Sequence, residues 1–258
     1  MAFVGANVCP GGWVAVRIDD NLARPASAEV FPDVTSLMGA WGDASSILVG
    51  IPIGLQDAGH PRRAAFQLAR DLLKPQRHHS VSPVPSRAAV EAFRSGEARS
   101  YEALSERNHR ALGKKLSKQS AAMVAKIAEL DALMLTDADA RGKLREAHRE
   151  LCFWGLNGGR PMSCSKAQPE GIAERLGVLV EYLPWAHEFF DDVWRGSRPK
   201  VPLAVVVDAL ATALTAVGTH PFLGDLQSIP PEPQRDARGL PMEVVYRLPR
   251  ELADADGV

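Results

Sequence analysis

The stretch AFVGANVCPGGWVAVRI, residues 2–18, decides how the chain begins. Ala2 to Val8 and Trp13 to Ile18 are β-prone runs, and the Cys9-Pro10-Gly11-Gly12 segment between them has the Pro and Gly content of a tight hairpin turn. A third β-prone run, Ala26 to Phe31, extends the pair into a three-stranded meander. Outward from there, Thr35 to Trp41 reads as a helix. Ser46 to Ile51 (SILVGI) is a continuous apolar run of strand length, the pattern of a strand covered on both faces.

Beyond this opening the signals are mostly helical. Pro61 to Leu73 has helical spacing and leads into an irregular loop, KPQRHHSVSPVPS, that is expected to be exposed and ends near Arg87. Helices are expected from Arg87 to Asp139, the segment 87–140 forming a helical insertion, with Ser120 to Leu135 strongly amphipathic. A further strand is expected around Leu144 to Cys152, then the turn Asn157-Gly158-Gly159-Arg160-Pro161. Helices follow at Glu170 to Val180, Trp185 to Trp194 and Val201 to Val217, and a Pro-rich tail closes with a short strand, Met242 to Leu248. No internal repeat or linker interrupts the chain, so residues 1–258 read as one α/β domain, a mixed sheet flanked by helices.

Composition excludes several classes. With 258 residues, 46% hydrophobic and 24% charged, and a net charge of -1, the chain is neither disordered nor a membrane protein, and charge alone names no partner. The first residues lack a basic leader and a long apolar run, which leads us to expect a cytoplasmic protein with no membrane partner. Cys9, Cys152 and Cys164 lack CxxC spacing, so reduced, buried thiols are expected rather than disulfides or a zinc site. His78 and His79 have no Asp or Cys partner at ligand spacing, and no GxSxG, P-loop or dinucleotide fingerprint is present.

The pieces GANVCPGGWVAV, VGIPIGLQDAG, LSKQSAAMVAKIAELD, AHRELCFWGLNGGRPMSCSK and VDALATALTA, in this order, resemble the domain of unknown function 429 family, a family of predicted RNase H-fold nucleases. The resemblance runs from Val4 to about Tyr246 and implies an RNase H-like fold. It also implies hydrolysis of nucleic-acid phosphodiesters by two divalent cations held between carboxylates. Against that pattern the chain departs at several points. Asn7 stands where the family motif GxDGCPGGW has its aspartate, and Gly50 where DIPIGL has one. Phe66 breaks the Arg-then-Asp helix pattern after Arg63, the HPE segment reads His148-Arg149-Glu150, and the paired acids before the late DAL are Ala204 and Val205. Glu150 and Asp208 remain.

The candidate catalytic residues are therefore Asp208, Glu150 and Asn7, with Asp208 and Glu150 as ligands for Mg²⁺ or Mn²⁺ if the site is active. Asp208 lies in a helix apolar almost all round, where a lone carboxylate needs a partner or a proton: it is either a residual ligand or a salt-bridge acid. On a strand, His148 and Glu150 would share one face. Gly50 in a strand signals the close approach of another group. The run Arg107 to Lys118 carries five Lys or Arg and no acid, the makings of a phosphate track or of a solvated helix face. Lys118, Gln119, Lys126, Asn157, Arg160 and Lys166 are the candidate substrate-binding residues, of types that suit phosphate or base-edge contacts. Two functions follow: a metal-dependent nuclease, or a catalytically inactive protein that uses the same cleft, without a cofactor, to bind nucleic acid, nucleotide or a protein partner. Another small-molecule reaction on the same fold stays open.

Overall fold

Strands β1 (Ala2–Cys9) and β2 (Gly12–Asp19) pair antiparallel, Ala2 opposite Asp19 and Cys9 opposite Gly12. The turn between them needs its glycines, because Gly11 has φ 89° and a Cβ on Gly12 would lie 2.0 Å from the carbonyl oxygen of Phe31. β3 (Ser27–Phe31) adds antiparallel to β2, completing the meander. The computed structural model describes residues 1–23, 26–196 and 201–253. The last residues of the expected domain, 254–258, lie outside them.

Helix α1 (Val34–Trp41), whose Asp33 cap accepts from the Ser36 amide at 2.7 Å, leads to β4 (Ser46–Val49), which is parallel to β1. The chain then leaves the sheet for α2 (Ala64–Leu72), a 3₁₀ turn (His78–Ser80), α3 (Arg87–Ser95), α4 (Tyr101–Leu112), α5 (Lys118–Thr136) and α6 (Ala138–Lys143). It returns as β5 (Leu144–Glu146), parallel to β4, so the sheet order is β3-β2-β1-β4-β5. Helices α7 (Arg149–Leu156), α8 (Pro169–Tyr182), α9 (Ala186–Trp194) and α10 (Leu203–Ala216) follow. A separate ribbon, β6 (Gln227–Arg235) with β7 (Pro241–Tyr246), and the short α11 (Arg250–Ala253) end the described chain. This five-stranded mixed sheet flanked by helices is the expected α/β class.

Period-2 alternation sorts the sheet's side chains into two cores. Phe3, Val14, Val16, Ile18 and Leu48 pack with Val206, Leu210 and Leu214 of α10. Val4, Ala6, Ala15, Ile47 and Val49 pack instead with Leu37 of α1 and Val124 and Ile127 of α5. α10 lies directly against β1 because Gly5 lacks a side chain: a Cβ there would sit 2.1 Å from the Ala213 amide nitrogen.

Three expectations are corrected. The strand expected over 144–152 ends at Glu146, and Arg149 to Leu156 is helical. Leu151, Cys152, Phe153 and Leu156 are all buried, and an apolar run buried on every side shows no period that separates strand from helix. His148 and Glu150 therefore do not alternate on a strand. The Pro-rich tail contains β6, since among the described residues this ribbon strand pairs with β7 on one side only and a register break between Ile229 and Gln234 accommodates its prolines. The loop before Arg87 is less exposed than expected, with Val81, Pro85 and Ser86 buried. Among the described residues no helix is long and apolar enough to cross a membrane.

Candidate functional site

A cleft opens at the carboxyl ends of β1 and β4, where crevices in sheets with parallel strands commonly receive ligands. Asn7 and Val8 of β1, Gly50 and Ile51 after β4, Gln119 and Met123 on α5, Arg149 at the start of α7, Lys166 before α8 and Asp208 on α10 meet there around a cavity of about 270 Å³. A deeper chamber of about 50 Å³ adjoins it, shares Gly50, Gln119 and Arg149, and reaches Arg63, Glu146 and His148. Asn7, Gln119, Lys166 and Asp208, proposed from sequence on separate segments, are thus brought together.

Asn7 and Gly50, the two positions where the resemblance implies an aspartate, are packed on each other. A Cβ on Gly50 would lie 1.9 Å from Asn7 Oδ1, so the amide occupies the space that a side chain at 50 would need. Asn7 Nδ2 donates to Thr212 Oγ1 at 3.3 Å, and the Thr212 hydroxyl donates to the Asp208 carbonyl at 2.8 Å, so Asn7 is anchored to α10. Its buried side chain has become part of the seam between sheet and helix.

Asp208 is 2% exposed and forms an ion pair with Lys166, while Arg149 Nε stands 3.8 Å from the same carboxylate oxygen. Burial pushes the Asp208 carboxyl up despite the two cations, and burial pushes Lys166 down despite the carboxylate. The other oxygen, Oδ1, has no hydrogen-bond partner within the described structure, and neither has Arg149 Nε.

The remaining acids are also matched by cations. Both Glu150 oxygens accept from Arg175 Nη2, at 2.8 and 2.9 Å, and Arg77 stands at 3.6 Å; Glu150 and Arg175 are 2% and 1% exposed. Glu146 pairs with Arg63 and accepts from the Ile53 amide at 2.7 Å, and burial pushes its carboxyl up to about 7. His148 stays neutral, pushed down to about 3 by burial and by Arg149 next to it. Hard divalent cations take several oxygen ligands. Here each acid near the cleft already has a guanidinium or ammonium, and among the described residues no group of three or more His, Cys, Asp or Glu could hold a metal ion. The residues present do not fit a two-cation site. Asp57 lies outside this cleft, 3.9 Å from Arg87.

The other candidates lie elsewhere. Lys118 lines a neighbouring depression with Arg99 and Tyr101. Lys126 donates to the Pro32 carbonyl at 3.0 Å and to Glu129 at 2.7 Å, a structural tie beneath α1. Asn157 and Arg160 bond across their own turn, where Gly158 and Gly159 have φ 65° and 74°, and neither lines the cleft. Cys9 and Cys152 are buried, and burial raises both thiols, whereas Cys164 is half-buried. The residue missed from sequence is Arg149. Its signal was present as the departure His148-Arg149-Glu150, but only the helical start of α7 aims that side chain at Asp208.

Fold and cleft together define an α/β protein with a buried carboxylate held between two cations at the ends of parallel strands. The family described as "Protein of unknown function (DUF429)" matches residues 5–235, and the chain belongs to it. No curated protein and no solved structure matches the chain.

Proposed function

We propose that this cleft binds a phosphate of a nucleic-acid strand without metal-assisted hydrolysis. The observation that carries the reading is the presence of Lys166 and Arg149 around Asp208, side-chain cations where a two-metal nuclease would need metal ions. Two cations against one carboxylate leave one net positive charge, which matches a single phosphodiester. Lys166 acts as a compact point charge in a site partly shielded from water, where its attraction for an anion is less screened. The exposed Gln119 amide at the rim adds a neutral donor. The sheet order, an antiparallel meander continued by two parallel strands, supports the RNase H-like reading of the fold.

The test is fluorescence anisotropy with labelled DNA and RNA oligonucleotides in EDTA, beside a cleavage assay in Mn²⁺. Binding that survives EDTA and weakens at least tenfold in Lys166→Gln, with no cleavage, is the expected result. Mn²⁺-dependent cleavage that disappears in Asp208→Ala would overturn it and establish a working metal site.

A further inference from the structure

The cleft does not end at Gln119. One residue earlier on the first turn of α5, Lys118 turns into a second depression of about 370 Å³, lined by Arg99, Tyr101, Leu104, Lys118, Ala121 and Ala122 together with Glu102. Ala122 lines both hollows, so the two are contiguous across the N-terminal turns of α5. Tyr101 is 37% exposed, and its hydroxyl donates to the Leu116 carbonyl at 2.9 Å, which fixes the ring at the depression. The small Ala121 and Ala122 leave the space beside it open. Within the basic run from Arg107 to Lys118, Arg107 and Arg110 are committed to Glu97 and Glu106. Lys114, Lys115 and Lys118 are exposed and make no ion pair among the described residues. The positive end of α5 lies between the two hollows and adds its own field.

Resting on the phosphate-binding reading above, we propose that this second depression is a subsite for a single-stranded continuation of the same ligand. An unpaired base stacks on Tyr101, and flanking phosphates lie on Lys118 and Arg99. Cations that follow a groove track a phosphate backbone, and an exposed aromatic face accepts any unpaired base, so the combination suits a single strand irrespective of sequence. In a duplex the bases are stacked and paired, leaving Tyr101 no free face to meet. The ligand is therefore longer than one nucleotide, and the two sites contribute separately.

The experiment measures anisotropy of labelled oligo-dT of two and of twelve nucleotides, and of a twelve-base-pair duplex, in EDTA over a salt series. The twelve-mer is expected to bind at least tenfold more tightly than the dinucleotide and than the duplex. Arg99→Gln combined with Lys118→Gln is expected to flatten the salt dependence of the twelve-mer by about 1.4 in logarithmic slope, for two lost phosphate contacts on a single strand, and to leave the dinucleotide unchanged. Tyr101→Leu is expected to weaken the twelve-mer roughly 5- to 150-fold, while Tyr101→Phe, which keeps the ring and loses only the hydroxyl, binds as wild type. All three side chains are exposed, and circular dichroism confirms folding of each variant. A twelve-mer that binds no better than the dinucleotide or the duplex, or an unchanged salt slope in the double variant, overturns the subsite and leaves the Lys166 cleft standing. Failure of every oligonucleotide to bind overturns both.

Discussion

Replacing Arg175 by Met would strand the Glu150 carboxylate. The methionine keeps most of the packing of the arginine stem against α7, but both hydrogen bonds to Glu150 disappear. So do the bonds to the Gly171 carbonyl at 2.8 Å and the Cys164 carbonyl at 3.1 Å. Breaking a buried pair by removing one partner costs about 3–5 kcal/mol, because the other charge is left unpaired in a poorly polarisable surrounding. Arg77, 3.6 Å from Glu150, compensates in part, which places the expected loss near the lower end, about 3 kcal/mol. For a chain of this size that corresponds to a fall in Tm of about 6–12 °C. Adding Glu150→Gln removes the stranded charge, so the double variant is expected to recover at least half of the loss, a coupling that a double-mutant cycle reads directly. Thermal melts followed by circular dichroism at pH 7, with and without Mn²⁺, make the measurement. A melt of Arg175→Met within 2 °C of wild type would refute the view that this pair holds Glu150. A Tm rise with Mn²⁺ that appears only when Arg175 is removed would show that the arginine masks a metal ligand.

Two further outcomes test the packing and electrostatics of the cleft. Gly50→Ala drives a methyl into the Asn7 amide and is expected to cost about 1–3 kcal/mol in chemical denaturation, but clearly less in an Asn7→Ala background, where that space is vacant; equal cost in both backgrounds would show that the two positions are not packed together. Glu146, pushed from 4.5 up to about 7, keeps in the folded chain a proton that the unfolded chain has released, so its contribution makes stability fall as pH rises between those values. His148, held down to about 3, acts in the opposite sense below its ordinary value of 6.5, so the informative quantity is the difference between wild type and Glu146→Gln, whose pH dependence lacks the falling component. Parallel Tm profiles for the two proteins from pH 5 to 8 would overturn that assignment.

Much of the fold was legible because its signals are local. The hairpin follows from Pro10, Gly11 and Gly12 between β-prone runs, the buried strand from SILV, and helix α5 from its amphipathic spacing. The missed elements are those whose local signal is weak or contrary. Residues 149–156 carry an apolar run without a readable period, and β6 carries prolines that are tolerated only because a one-sided ribbon leaves its other edge unpaired. Among site residues, Asn7 and Gly50 stood out against the motif that the resemblance implies, yet their contact with each other is a product of the parallel pairing of β1 and β4.

The amino-acid sequence by itself determined the α/β class and the family, and it drew attention to positions 7 and 50, since each is written in residue type and short-range order. Only the tertiary structure decided what the surviving acids do. Glu150 meets Arg175 across 25 positions, and Asp208 meets Lys166 across 42, pairings that depend on how α7, α8 and α10 pack over the sheet. An ionic partner is chosen by distance in space and by burial, and neither is encoded in the spacing of charges along the chain.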